Sequence, residues 1–282
     1  MKKHIVAAVA ALAFAQAAIA ADTLGRIKSS KVINVAFSSD SLPFSWSQDK
    51  DEPRGYTIDL CKRVIAQISN TVGVPNLQVR WLAGTTPERL QMIASGKADL
   101  DCANTSQTLA RLAEVDFSAL IFLETGGFLG RADTNVHRLS DMTGKKIVVL
   151  KGTTTEKALR DALHKRLVNA EVVAVDKPAD GMAMLASGDA TAFAGDTIKL
   201  VGLVVQEKDP AKYALLPDQL SYEAYALALP RNDSAMRLEV NRALSQVYRS
   251  GDIGAIYGQW LGPLGKPTDL LTAMYLLYAI PE

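Results

Sequence analysis

Apolar residues along this chain fall into short β-branched runs separated by longer stretches with helical spacing, the alternation expected of strands and helices stacked in layers. Val32 to Phe37 reads as a strand, and Tyr56 to Val72 as a helix whose apolar stripe is Cys61, Val64, Ile65, Ile68 and Val72. Leu77 to Trp81 is the next strand. Pro87 then opens a helix through Ala94, Ser95-Gly96 end it, and Ala98 to Cys102 form a further strand, which completes a βαβαβ unit. A second unit follows: strand Lys146 to Leu150, helix Thr154 to Leu167, strand Val172 to Val175, helix Asp180 to Ala186, turn Ser187-Gly188, strand Ala190 to Ala194. A helix-rich tail, Ala235 to Tyr257, returns to one of the two units.

The two units resemble each other. Met92-Ile93-Ala94-Ser95-Gly96-Lys97-Ala98 matches Met184-Leu185-Ala186-Ser187-Gly188-Asp189-Ala190, an offset of 92 residues that continues into the following strand. Either two common helix-turn-strand joints coincide, or the chain holds an internal repeat. In the second case Asn104 and Asp196 occupy equivalent places beyond the C-terminal ends of equivalent strands, where open α/β sheets bind ligands.

Ahead of both units, Lys2 and Lys3 precede an Ala-rich apolar run, Ile5 to Ala20, that ends in Ala18-Ile19-Ala20. This is the pattern of a cleavable secretory signal, residues 1–20, too short to cross a bilayer as a helix. No Cys follows the run, which argues against a lipid anchor, and the apolar stretch Leu270 to Ile280 is too short to span a membrane. Removal of Lys2 and Lys3 leaves the basic and acidic residues nearly balanced, without the basic excess of a nucleic-acid binder. An exported chain with two cysteines, Cys61 and Cys102, is expected to bridge them; two isolated buried thiols are the alternative. Beyond the signal only His137 and His164 remain, and no His-Glu-x-x-His, nucleophile elbow or Walker motif is present, so neither a metal, a cofactor nor catalysis is expected.

Asp99 to Ser106, Arg111, Asp116-Phe117-Ser118, Lys151 to Thr155 and Asp196 together resemble the family 3 periplasmic solute-binding proteins, the polar amino-acid receptors of ABC importers. Pro43-Phe44, Gly55 to Leu60 and Trp260-Leu261 add to the likeness, and Thr85 to Arg89 with Asp101-Cys102 bring it nearest the glutamate/aspartate-binding branch. The resemblance implies an α/β, two-lobed periplasmic binding protein of type II, each lobe a mostly parallel sheet flanked by helices, joined by two hinge strands. Lobe 1 would be residues 21–122 plus 226–282, lobe 2 residues 126–220, and the hinge 122–125 and 221–225. It also implies a periplasmic monomer that hands a small zwitterion to an inner-membrane permease. Two other readings stay open: a periplasmic enzyme of the cyclohexadienyl dehydratase type on the same fold, and a ligand-sensing partner of a signalling receptor.

An amino acid offers a carboxylate and an ammonium at fixed separation, so its site needs donors for one and acceptors for the other. Arg111 is the expected carboxylate ligand, its guanidinium suited to paired charge-assisted hydrogen bonds; an ion pair with Glu114 is the plainer alternative. Ser106 adds a donor by family match. In the other lobe Thr153 and Glu156 fit a capping box, and Thr154 at that helix start completes the carboxylate clamp unless capping is the segment's only role. Asp196 is the expected ammonium partner, assisted by Asn104, with an N-cap for the next helix as the alternative. Phe44 and Trp46 are candidates to pack on the ligand's alkyl part, and Arg89 with Thr86 to face its side chain. Ser38 and Pro178 stand where the glutamate/aspartate branch carries Arg and His, which puts an acidic ligand in question.

Overall fold

The computed structural model describes residues 22–48 and 52–282; the expected signal, residues 1–20, lies outside them. Along the chain run α1 (Thr23–Ser30), β1 (Val32–Phe37), the small hairpin β2 (Asp40–Ser41) and β3 (Ser45–Trp46), α2 (Tyr56–Val72), β4 (Gln78–Ala83), α3 (Thr86–Ala94), β5 (Leu100–Cys102) and α4 (Leu109–Leu112). β6 (Asp116–Arg131) follows, then β7 (Lys146–Leu150), α5 (Thr154–Lys165), β8 (Glu171–Val175), α6 (Pro178–Ser187), β9 (Ala192–Asp196) and α7 (Thr197–Val204). The chain closes with β10 (Tyr213–Leu215), β11 (Ser221–Leu229), α8 (Ser234–Ser250), α9 (Asp252–Leu261) and α10 (Asp269–Tyr278).

One mixed sheet holds all the strands except the β2-β3 hairpin, in the order β4-β1-β5-β11-β6-β9-β7-β8, with β10 paired to β6. In the first lobe β4, β1 and β5 run parallel and β11 lies antiparallel beside β5. The second repeats this arrangement, with β8, β7 and β9 parallel and β6 antiparallel beside β9. β6 and β11 pair with each other, Tyr222 opposite Thr125 and Tyr225 opposite Phe122, and are the two strands that pass between the lobes.

Period-two alternation sorts the strand residues between layers. Ile33, Val35 and Phe37 of β1 face a core shared with α2, α8, α9 and α10, while Ala36 faces the layer that holds α3. In the second lobe Ile147 and Val149 of β7 meet α5, and Val148 meets α6 and α7. Each of these side chains is buried, the valines and isoleucines completely, which for a Val or Ile stabilises by about 1.5–3 kcal/mol. Cys61 of α2 and Cys102 at the end of β5 form a disulfide within the first lobe.

The predicted boundaries shift for identifiable reasons. The strands expected from Ala98 and Ala190 begin two residues later, because those two amides are used in the preceding turns, bonding to Met92 and Met184 carbonyls at 2.9 and 3.0 Å. Helix α6 starts two residues earlier than Asp180 because Pro178 fits its first turn. Helix α5 ends at Lys165, and Leu167 takes a left-handed conformation, φ 54°. The 92-residue repeat is a repeat of geometry: Gly96 and Gly188 both adopt positive φ, and Asp99 and Thr191 amides bond to the neighbouring strand in the same way.

Candidate functional site

The ends of β5 and β9 face each other across the inter-lobe cleft. Asn104 Nδ2 donates to Asp196 Oδ2 at 3.3 Å, so the two repeat-equivalent positions meet directly. Asp196 Oδ1 also accepts from Thr155 Oγ1 at 3.1 Å, and both Asn104 and Asp196 are buried. Asp196 stands at the N-cap position of α7, yet its side chain makes no capping bond, so its acceptors point into the cleft rather than to its own helix. Beside it the Tyr225 hydroxyl is fully buried and has no hydrogen-bond partner. Burial, with Asp196 and Glu124 nearby, pushes this phenol well above its usual range, so it stays protonated. An unpaired buried hydroxyl is costly, and Asp196 and Asn104 are the side chains nearest to satisfying it.

Arg111 sits on the short helix α4, whose start is capped by Thr108 Oγ1 accepting from the Arg111 amide. Its Nη1 donates to the Ser106 carbonyl at 2.8 Å, and among the described residues no carboxylate, Glu114 included, lies within salt-bridge distance. Burial lowers its pKa from the ordinary guanidinium value, against the opposing influence of Glu223, Asp101 and Asp196. Ser106 is held by backbone bonds on either side, Gln107 N to Ala224 O and Ala226 N to Thr105 O, which fix it against β11.

From the second lobe, Thr153 Oγ1 accepts from the Glu156 amide at 3.1 Å, while Glu156 reaches back to the Gly152 amide at 2.8 Å, one residue before the expected capping partner. The adjacent Thr154 hydroxyl lies 3.4 Å from Ser106 Oγ, across the cleft. It donates to Glu223 Oε2 at 2.8 Å. Glu223 and Tyr225, both on β11, are site residues that the linear pattern does not reveal. Nothing local distinguishes them: Glu223 bonds to Thr154, 69 residues away, and the charge nearest the Tyr225 hydroxyl is that of Asp196, 29 residues away.

Arg89 is neither solvated nor free. Nearly inaccessible, it donates from Nε to Asp101 at 2.9 Å, from Nη1 to the Gly84 carbonyl at 2.8 Å, and from Nη2 to Thr86 and Thr105 hydroxyls at 3.3 and 3.2 Å. Phe44 is fully buried, its ring edge-on to Phe122 at 5.0 Å and to Tyr225 at 5.3 Å, so it braces the wall behind the cleft. Trp46 is half-buried with the Arg54 guanidinium over its ring.

Outward from this cluster the lobes enclose a cavity of about 250 Å³. One wall carries Ser38, Asp40, Ser41, Thr86 and Arg89, the other Lys151, Asp176, Lys177, Pro178 and Lys199. The lobes touch closely at its edges: a Cβ on Gly152 would lie 2.5 Å from Pro87 Cγ, and one on Gly202 would lie 2.4 Å from the Leu42 carbonyl oxygen.

Two lobes built on the two halves of one sheet and joined through β6 and β11, with polar groups from both converging on one cleft, define a two-lobed ligand-binding protein. Residues 33–263 match the bacterial extracellular solute-binding proteins, family 3, and the chain belongs to that family. It is 29% identical over 239 residues to the L-glutamate/L-aspartate-binding protein of Pseudomonas aeruginosa, covering 84% of this chain and 79% of that one. In fold it is similar to the solute receptor for L-cysteine of Neisseria gonorrhoeae, with a TM-score of 0.75 at 21% identity over 85% of this chain and 94% of that one. An ancestral amino acid-binding protein described as a precursor of cyclohexadienyl dehydratase superposes with a TM-score of 0.72 at 22% identity, covering 84% and 99%.

Proposed function

We propose that this protein is the periplasmic amino-acid receptor of an ABC importer, binding one zwitterion between its lobes and presenting the closed form to an inner-membrane permease. The supporting observation is the meeting of Asn104 and Asp196 near Arg111: one cation with no carboxylate at salt-bridge distance among the described residues and one buried acid, from opposite lobes, at the inner end of a shared cleft. In this reading Arg111, Ser106 and the start of α5 at Thr154 hold the ligand carboxylate. Asp196, Asn104 and the Tyr225 hydroxyl hold the ammonium, while Thr86 and Arg89 border the side chain and Phe44 supports the wall.

Lobe 1 is taken as residues 21–122 plus 226–282, lobe 2 as 126–220, with 122–125 and 221–225 as the hinge and residues 1–20 as a signal removed on export. In this reading the protein acts as a monomer and as a receptor rather than an enzyme. Ligand stabilises the closed form to the extent that it contacts both lobes at once.

Titration calorimetry of ligand-stripped protein against the common L-amino acids tests this. Arg111→Ala and Asp196→Ala should each weaken binding at least a hundredfold with unchanged circular dichroism, since each removes a charge-assisted bond of about 1.5–3 kcal/mol and strands a charged ligand group. Near-normal affinity in either variant would remove that residue from the site. Chemical conversion of the bound compound during incubation would favour the dehydratase-type reading instead.

A further inference from the structure

Among the aspartates at the N-caps of α-helices in the described residues, Asp22 and Asp233 cap their own helices, accepting from the Gly25 and Met236 amides at 2.9 Å. Asp196 does not, although its backbone has the extended conformation of an N-cap, φ -67° and ψ 128°. Its oxygens are engaged in the cleft instead, Oδ2 by Asn104 and Oδ1 by Thr155. The start of α7 is served from elsewhere. Glu124, on β6 where that strand passes between the lobes, accepts from the Ile198 amide with Oε2 at 3.3 Å and from the Thr197 hydroxyl with Oε1 at 2.6 Å. Ile198 is the second residue of α7, and an amide in that position is one that an N-cap side chain ordinarily takes. The Thr125 amide, donating to Glu124 Oε1 at 2.7 Å, fixes the carboxyl in place.

Asp196 cannot serve the helix and the cleft together. Capping would turn one of its oxygens toward the Ile198 amide and away from Asn104 and Thr155. A helix start without an acceptor is costly, and it draws in whichever side chain can reach it. Asp196 can do so by side-chain rotation alone, since its backbone already has the required conformation. Glu124 meets the demand from outside the ligand cavity: it borders a separate apolar cavity with Tyr257, Leu270 and Leu271, and is absent from the lining that holds Thr86 and Arg89. A carboxyl keeps acceptor capacity with or without its proton, so the cap does not require Glu124 to be ionised.

Resting on the receptor reading, in which Asp196 takes the ligand ammonium, we infer that Glu124 is a positioning residue: it caps α7 in place of Asp196 and so keeps the Asp196 carboxylate turned into the cleft. Without Glu124, Asp196 divides its time between the Ile198 amide and the cleft, and the apparent affinity falls with the fraction that still faces the ligand.

A double-mutant cycle tests this by calorimetry on ligand-stripped mature protein, using whichever of the common L-amino acids wild type binds most tightly. Glu124→Ala should weaken binding on the order of tenfold. Glu124→Gln, which keeps an acceptor oxygen for the helix, should stay within about threefold of wild type. In an Asp196→Asn background, itself much weaker than wild type, adding Glu124→Ala should change affinity by less than about twofold, because the charge it misplaces is already gone. A merely structural role would weaken both backgrounds by the same factor. Should Glu124→Ala fail to fold, Thr197→Val takes its place in the cycle: it removes the hydroxyl that holds Glu124 to α7, and should weaken binding about threefold with Asp196 present and not at all in Asp196→Asn. Equal losses in the two backgrounds, a loss in Glu124→Gln as large as in Glu124→Ala, or an unchanged affinity in Glu124→Ala would each overturn the inference and leave the receptor reading standing. Wild-type affinity in Asp196→Asn, or no binding of any L-amino acid by wild type, would remove both.

Discussion

Closure brings two backbones together where only glycine fits, and this gives a way to obstruct closure without touching the ligand. Gly202 lies in α7 of the second lobe, and a Cβ there would sit 2.4 Å from the Leu42 carbonyl oxygen and 3.0 Å from its carbon, in the first lobe. Ordinary contact begins at about 3.4 Å, so Gly202→Ala requires the lobes to separate locally by about 1 Å, since a carbonyl in the backbone does not swing aside as a side-chain end would. Overpacking of this kind costs about 1–3 kcal/mol. Here the whole cost falls on the closed state, because in an open molecule the same methyl faces solvent and improves the helix by roughly 0.5–1 kcal/mol. Ligand affinity should drop by roughly five- to 150-fold, while the ligand-free protein melts no lower than wild type. Gly254→Ala is the control: nothing lies within 4 Å of a Cβ at that position, so affinity should not change. Calorimetry with the best ligand, together with small-angle scattering with and without it, measures both effects. A Gly202→Ala protein that binds within twofold of wild type and contracts equally on ligand addition would refute the idea that α7 and the Leu42 loop close against each other.

Two further outcomes follow from groups away from the ligand. Burial pushes the Glu124 carboxyl up to about 7, partly opposed by bonds from Thr197, Thr125 and Ile198, and reinforced by Asp196. A raised acid is bound more tightly by protons in the folded state, so its contribution is complete below the ordinary glutamate range, near 4.5, and is lost as pH rises through about 7. Wild type should lose on the order of 3 kcal/mol relative to Glu124→Gln between pH 4.5 and 8; parallel urea-stability profiles for the two proteins would contradict this. The Cys61–Cys102 bridge closes a loop of 41 residues, worth about 4 kcal/mol by loop-closure entropy. Cys61→Ser/Cys102→Ser should lower stability by about that amount in guanidinium unfolding, and a midpoint equal to that of the oxidised wild type would contradict it.

Much of the architecture is legible in the linear pattern because each strand of the parallel groups is a compact apolar run and each helix carries its own start and stop signals. The repeat between Met92–Ala98 and Met184–Ala190 is visible for the same reason: both joints need a small residue, a left-handed glycine and an amide turned back to the helix. Asn104 and Asp196 follow from it. The hinge strands are less legible. The alternation of buried and partly exposed residues along β6 is irregular, since its two ends serve different lobes and its middle bridges them. Glu223 and Tyr225 acquire meaning only when β11 is laid between β5 and β6. Arg89 shows the same limit from the other side. Helical position suggests a residue free to face solvent or ligand, but Asp101 on β5 lies beneath it and takes its charge.

The disulfide ties α2 to β5 within one lobe and leaves the other, with the shared strands, free of any covalent tie. Mechanical resistance is therefore unequal across the molecule: under heat or force the half built on β7, β8 and β9 should give way first, while the stapled half persists. Production in a reducing cytosol would erase that difference, yielding a receptor that still opens and shuts but unravels from both sides.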